Sequence, residues 1–387
     1  MTIDAPSTRP ADRDGDTTPQ RTVRVGVVGL GKMGLSHLSM INAHPDVRVE
    51  AVVDSAGYLL DVLSKYTGMA TFGSIDAMLA GTTVDAVVVA TPTRLHAPMV
   101  RSLLDAGVDV FCEKPLSLSA ADSEELTALA AAKGRVTQVG YHNRFVGAFR
   151  EVKRLLDLGA IGRVTHLQAE AYGPVVLRGK GGTWRSDRNE GGGALYDYAA
   201  HPLDLMSWYA GEIEGVGGTV LESVFSASTE DQVYGTLYFA DGVSGQLSVD
   251  WSDESFRKMT TQLTITGTAG RIHADRQECQ VYLRDTAPEV PGYTRGWNVR
   301  YTTELTDPVW FYLRGEEYSA QLDYFVQSVL TRRTDGLNSF ASARATDRAL
   351  ALLTADASAP RITAGDGSRP APASPPARRP RFTWRRR

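Results

Sequence analysis

The 387 residues are 42% hydrophobic and 22% charged, enough chain for about two domains, and a net charge of −4 gives no general reason to expect a nucleic-acid partner. Two cysteines, Cys112 and Cys279, build no disulfide framework and have no metal-ligand spacing around them, and no apolar run approaches the roughly 18 residues of a membrane span. The charge is uneven: seven arginines and no acids follow from Arg369 to the end, which leaves −11 on the residues before them.

Residues 1–21 are polar, with Pro, Asp and Thr throughout, and are expected to be disordered. They hold no apolar signal core and no twin arginine, so a soluble, cytoplasmic protein is expected. Residues 22–142 then alternate short apolar runs with helical patterns. Strands are predicted at 23–28, 49–53, 86–90, 108–112 and 136–141. Helices are predicted near 34–43, 57–66, 74–79, 97–106 and 120–133. Such alternation means a parallel sheet covered on both faces, a doubly wound Rossmann domain.

The first strand runs into Gly29-x-Gly31-x-x-Gly34, with Lys32 and Met33 between the last two glycines. Placed directly after a strand and opening a helix, the spacing reads as a dinucleotide site. Gly29 permits the tight turn, Gly31 lets the backbone approach a pyrophosphate, and Gly34 lets helix and strand pack closely. The second strand ends in Asp54, placed for the ribose hydroxyls, and Ser55 and Ala56 offer no cation for a 2′-phosphate, so NAD is favoured over NADP. After the next strand, Thr91, Pro92 and His96 are expected beside the far half of the cofactor; His96 reads equally as a plain helix-start residue.

The strand 108–112 ends in Glu113-Lys114-Pro115, facing the expected nicotinamide position. A lysine at that mouth can donate to a substrate oxygen and assist proton loss as hydride leaves. Pro115 is a candidate for a cis bond.

From residue 143 to 358 the pattern changes to α+β with a large, mostly antiparallel open sheet. A helix at 149–158 leads to a strand at 163–172, a glycine-rich loop at 173–193 and a helix at 194–210. Hairpin signals follow at Asp241-Gly242 and at 268–270, and a last helix is predicted at 317–330. Asn143 and Arg144 follow the strand 136–141 and are expected near the cleft. Trp184 and Arg185 suit a sugar face and a hydroxyl or phosphate, and suit a structural loop as well. Asp197 and His201 sit four apart on the helix, a spacing that shares one face. Pro202 threatens that pairing, because it can kink the helix or delay its start. The tail 359–387 is Pro- and Arg-rich and is expected to be disordered.

"GLGKMG", "ATPTRLH" and "CEKPLS", in this order at successive strand ends, resemble the Gfo/Idh/MocA family of oxidoreductases, over residues 22–358. The resemblance implies catalytic roles for Lys114, Asp197 and His201, with Glu113 beside the cofactor. It implies NAD-dependent hydride transfer on a secondary alcohol or ketone of a sugar, nucleotide sugar, amino sugar or cyclitol, without a metal. It also implies a homodimer or homotetramer that packs on the open sheet. Some relatives of this kind are NAD-dependent glycosidases, and a non-catalytic NAD(H) sensor is the remaining alternative.

Overall fold

The computed structural model describes residues 21–176, 184–306 and 316–360. The extension up to residue 20, the tail from 361 and residues 177–183 of the glycine-rich loop lie outside these.

The valine-rich run Val23–Val28 forms β1, buried on both faces as its composition demands. The helix α1 (Lys32–Ile41) follows, and then β2 (Val47–Val53), α2 (Gly57–Thr67), the two-residue β3 (Thr71–Phe72), α3 (Ile75–Gly81) and β4 (Ala86–Val89). The half closes with α4 (His96–Asp105), β5 (Asp109–Cys112), α5 (Ala120–Ala132) and β6 (Thr137–Val139). The six strands are parallel in the order β3-β2-β1-β4-β5-β6. The chain reverses direction across the sheet between β1 and β4, and ligands of open α/β sheets lie at the carboxyl ends beside such a switch point. The β3 strand was not anticipated; two residues carry too little periodicity to register.

The second half opens with α6 (Gly147–Asp157) and β7 (Val164–Tyr172), followed by α7 (Ala200–Ala210) and β8 (Ile213–Glu222). Strands β9 (Gln232–Phe239), β10 (Ser244–Asp250), β11 (Gln262–Gly267), β12 (Gly270–Ala274), β13 (Glu278–Leu283) and β14 (Gly296–Tyr301) complete a sheet of eight. Only the β7–β10 pair is parallel. The β9–β10 hairpin turns at Asp241 and Gly242, both at positive φ (58° and 74°), the backbone that an Asp-Gly pair accepts. Leu167, Ala169 and Ala171 of β7 and Leu247 and Val249 of β10 point into the core with the helices. Tyr282, Trp297, Val299 and Tyr301 stand exposed on β13 and β14.

The described residues close with α8 (Thr302–Leu305), α9 (Glu316–Thr331) and α10 (Phe340–Ala357). Leu322, Phe325, Val326 and Val329 of α9 return to the first sheet and pack with Val23, Val25, Val27 and Phe111. The reading that the predicted helix near 317–330 is the last one is corrected by α10. Its buried side carries Thr346 and Asp347 among Ala343, Ala349, Leu350 and Leu353, which breaks the apolar period. No helix among the described residues is long and apolar enough to cross a membrane.

Asp347 accepts hydrogen bonds from Ser117 N (3.2 Å) and Ser123 Oγ (2.6 Å), while its Oδ1 has no partner among the described residues. Burial pushes its pKa from 3.8 up to about 7 against those bonds, and the nearby Asp204 carboxylate adds to the rise. The unfolded chain therefore releases this proton about three pH units earlier than the folded one. The contribution is intact below the unfolded pKa and is lost as pH climbs to about 7. Asp347→Asn keeps the neutral shape, so it is expected to remove a pH-dependent loss on the order of 4 kcal/mol. Denaturant unfolding of parent and variant between pH 4 and 8 checks this; parallel curves would refute it.

Candidate active site

Cys112, the last residue of β5, pairs with Val89 of β4, and Glu113 N continues the ladder to Val89 O (2.9 Å). The next three residues thus leave the sheet at its carboxyl edge. The Lys114–Pro115 peptide is cis. The Glu113 carboxylate turns inward, accepts Lys114 N (3.1 Å) and lies 2.6 Å from His37 Nε2 of α1. Burial alone would raise its pKa, but the His37 contact and the Lys114 charge outweigh it and hold the carboxyl below the usual range. His37 was not singled out in the sequence. It ties the helix that follows the glycines to the strand end that carries Lys114.

Lys114 Nζ donates to Asp197 Oδ1 (2.9 Å) and to the Asp197 carbonyl (2.8 Å). The other carboxylate oxygen, Oδ2, accepts Arg185 Nε (2.9 Å), and the guanidinium lies over the Trp184 ring at 4.6 Å. Burial would raise the pKa of Asp197; the Lys114 and Arg185 charges hold it below the ordinary value instead. Both Asp197 oxygens are therefore committed to cations, and neither is bonded to His201.

A π-helical turn, Leu195–Ala199, precedes α7. Pro202 lies in the stretch that continues helically from this π-turn, so its missing N–H withholds one backbone donor from the carbonyls of the turn; among those carbonyls, Asp197 O accepts Lys114 Nζ (2.8 Å). The turn is anchored upstream: Glu230 Oε1 accepts Leu195 N (3.0 Å), and Gly193 sits at φ +103° where a Cβ would collide with that same carboxylate. This close approach accounts for one of the three consecutive glycines.

His201 is 5% exposed, and its Nδ1 has no partner among the described residues. Its ring meets His142 edge-on at 5.0 Å and Tyr141 at 6.3 Å. Burial, then the Lys114 charge and then that of Arg276, push its pKa well below 6.5. The imidazole is thus neutral at neutral pH, ready to accept a proton. His142, stacked on Tyr318 at 4.6 Å and 3.5 Å from Arg276 Nη1, and Arg276 itself belong to this surround and were not foreseen.

Arg144, expected near the cleft, is buried and donates to both Asp204 oxygens (2.9 and 2.7 Å), to Leu337 O and to Ser342 Oγ. A short 3₁₀ turn, His142–Phe145, swings it inward. Asn143 is also buried, and its Oδ1 has no partner among the described residues. His96 is 1% exposed, and its two ring nitrogens meet Pro115 O (2.9 Å) and Thr91 O (3.0 Å). It braces the two strand ends that carry Thr91 and Lys114.

A dinucleotide fits the upstream edge. A Cβ on Gly31 would meet no protein atom within 4 Å, so that glycine serves something other than internal packing. Gly34, by contrast, has no room for a Cβ against the Gly29 carbonyl. The N-terminus of α1 has no side-chain cap, which leaves its N–H groups for phosphate, with Lys32 and Met33 on the first turn. Asp54 braces the glycine turn through Leu30 N (2.5 Å) and Ala56 N (2.8 Å). Thr91 is partly exposed and Pro92 exposed on the same edge. No cluster able to hold a metal occurs among the described residues.

Residues 23–141 match the family model described as "Oxidoreductase family, NAD-binding Rossmann fold", and residues 149–273 match "GFO/IDH/MocA C-terminal domain". A putative UDP-kanosamine synthase oxidoreductase subunit of Amycolatopsis mediterranei (strain S699) is 32% identical over 272 residues, 64% of this chain and 74% of that protein. A 2,7-anhydro-N-acetylneuraminate hydratase of Escherichia coli (strain K12) is 27% identical over 290 residues, 74% and 75% of the two chains. The solved structure of levoglucosan dehydrogenase in complex with NADH and levoglucosan superposes with a TM-score of 0.77 at 22% identity, covering 87% of this chain and 97% of that one, a likeness of fold.

Proposed function

Because the chain belongs to the Gfo/Idh/MocA oxidoreductases, we propose that it is an NAD-dependent dehydrogenase or ketoreductase acting on a secondary alcohol or ketone of a sugar, nucleotide sugar, amino sugar or cyclitol. The observation that carries this is the grouping of Lys114, Asp197 and a neutral, buried His201 beside the carboxyl end of β5. Bound nicotinamide supplies the hydride acceptor. His201 takes the hydroxyl proton at a ring nitrogen. Lys114 Nζ donates to the same substrate oxygen as it becomes a carbonyl. Asp197 fixes Lys114 from both its carboxylate and its carbonyl. Asp54, followed by Ser55 and Ala56 with no cation, supports NAD over NADP.

The test is absorbance of reduced nicotinamide with purified protein, NAD or NADP, and a panel of sugars, nucleotide sugars and cyclitols. Turnover with NAD supports the reading; tight NAD binding with no turnover of any polyol counts against it. The hydratase relative favours a second reading, in which the same residues serve a net reaction without redox change. Product release with no accumulation of NADH would select that reading, and would include the glycosidase variant.

The same proposal places the enzyme in the cytoplasm, where the buried thiols Cys112 and Cys279 stay reduced. It also makes the enzyme a homodimer or homotetramer. The exposed Tyr282, Trp297, Val299 and Tyr301 on neighbouring strands are more apolar than a solvated edge needs. Light scattering should return a multiple of the 41.9 kDa chain; a monomer at micromolar concentration would refute this part.

A further inference from the structure

We propose that Asp347 of α10 is a positioning residue for Lys114: it fixes the turn that carries the lysine out of β5 and so sets where Nζ stands; this rests on the dehydrogenase reading above. The stretch from Glu113 to Ser119 belongs to no helix or strand, so side chains must hold it. His96 meets its near end at Pro115 O (2.9 Å). Asp347 holds its far end: one oxygen, Oδ2, accepts both Ser117 N (3.2 Å) and Ser123 Oγ (2.6 Å). Ser117 Oγ in turn accepts Ser119 N (3.1 Å), and Ser119 Oγ caps α5 by accepting Asp122 N (3.2 Å). A single carboxyl on the far side of the chain thus pins the turn to the helix that follows it.

Packing alone does not call for an acid here. The buried neighbours of Asp347 on α10 are Ala343, Ala349, Leu350 and Leu353, among which a leucine would bury without losing hydration of a polar group. The two groups that donate to Asp347 are uncharged, and burial raises its pKa to about 7, so the carboxyl stays in place against its own desolvation. Ser117 is buried too, and without the carboxyl its N–H would lose its acceptor. Asp347 also stands behind the second reacting group. Its Oδ1 has no partner among the described residues, and neither do Tyr141 Oη and Thr346 Oγ1. Burial, and then the Asp347 charge, push the Tyr141 phenol well above its ordinary pKa, so the two groups are neighbours, and the Tyr141 ring stands edge-on to His201 at 6.3 Å. A turn released at Ser117 leaves Lys114 its charge and takes away its aim. A misplacement of about 1 Å at a reacting group costs on the order of 10² in rate.

Chemical labelling of Lys114 tests this without a substrate. The full chain, saturated with NAD, is treated with N-hydroxysuccinimidyl acetate, and mass spectrometry gives the acetylation rate at Lys114 relative to the exposed Lys133. In the parent Lys114 should react slowly, because its side chain is 14% exposed and Asp197 holds its Nζ through two oxygens. Asp347→Leu removes the acceptor and should raise that relative rate about fivefold or more. Asp347→Asn keeps an oxygen for Ser117 N and should restore the parent rate. A cooperative thermal transition checks that each variant is folded. If Asp347→Leu does not fold, Ser123→Ala, which removes the 2.6 Å bond alone, should raise the relative rate about twofold or more. In turnover of the polyol panel, kcat should fall by about 10–10² in Asp347→Leu and recover in Asp347→Asn, with the polyol KM within about twofold of the parent. Equal labelling of Lys114 in parent and folded variants, faster labelling at every lysine alike, or an unchanged kcat overturns the role. Labelling needs no hydride transfer, so failure of the dehydrogenase reading would show separately, as the expected labelling pattern in a protein that reduces no NAD with any polyol.

Discussion

Lys114→Met is expected to lower kcat/KM by about 10²–10³ while NAD still binds, since removing one well-placed donor to a developing charge costs that much in other enzymes. Lys114 Nζ reaches into the cleft from a strand end and is held at 2.9 Å by Asp197 Oδ1 and 2.8 Å by the Asp197 carbonyl. Two fixed acceptors leave one N–H for the substrate oxygen, so the ammonium reaches the reacting atom without reorganising. Methionine keeps the length and removes the charge. Two further consequences separate a chemical role from a packing one. Asp197 loses the larger of its two cationic supports, so its carboxyl should rise toward the value that burial dictates. Without the Lys114 charge, His201 should also become more basic, and the acid limb of the pH profile should move up. Lys114→Arg is not a rescue, because a planar fork cannot meet the same two acceptors and still present one donor forward. Steady-state kinetics with bound NAD quantified by fluorescence makes the measurement. A variant within a few-fold of the parent, or one that loses NAD binding in proportion, would sink the role.

Much of the first sheet was legible because its strands are buried on both faces and therefore read as near-continuous valine runs. The glycine spacing was legible because each glycine answers a local demand, such as the lack of room at Gly34. What escaped was non-local. Lys114 and Asp197 were both visible as candidates, but their contact spans 83 positions and no spacing encodes it. His37 looks like any polar residue of an amphipathic helix until Glu113, 76 residues away, is found against it. Arg144 was read toward the cleft because it follows a strand end, and a 3₁₀ turn sends it to Asp204 instead. The final helix was lost for a related reason, since a buried Asp347 interrupts the pattern that would have announced it.

His201→Asn is expected to cost about 10²–10⁴ in kcat/KM for oxidation and to erase a limb of the pH profile, because a positioned general base contributes that much. The sign follows from the environment. Burial and the nearby Lys114 and Arg276 charges hold the imidazole pKa well below its ordinary value. In the oxidative direction the neutral ring must accept the hydroxyl proton, so activity stays level through neutral pH. It falls only when pH drops through that lowered value, below the usual histidine range. In the reductive direction the protonated ring must donate, so the rate rises as pH falls toward the same point. Asparagine fills similar space and neither accepts nor donates a proton at these pH values, so both dependences should flatten together. The neighbours make the alternative readable. His142 lies 5.0 Å away with a pKa also lowered by burial, and among the described residues it is the neighbouring imidazole placed to substitute. If His201→Asn keeps an acid limb at the parent position, His142 carries the proton and the assignment to His201 fails; if the limb vanishes, the base is the ring four residues beyond the carboxylate that holds Lys114.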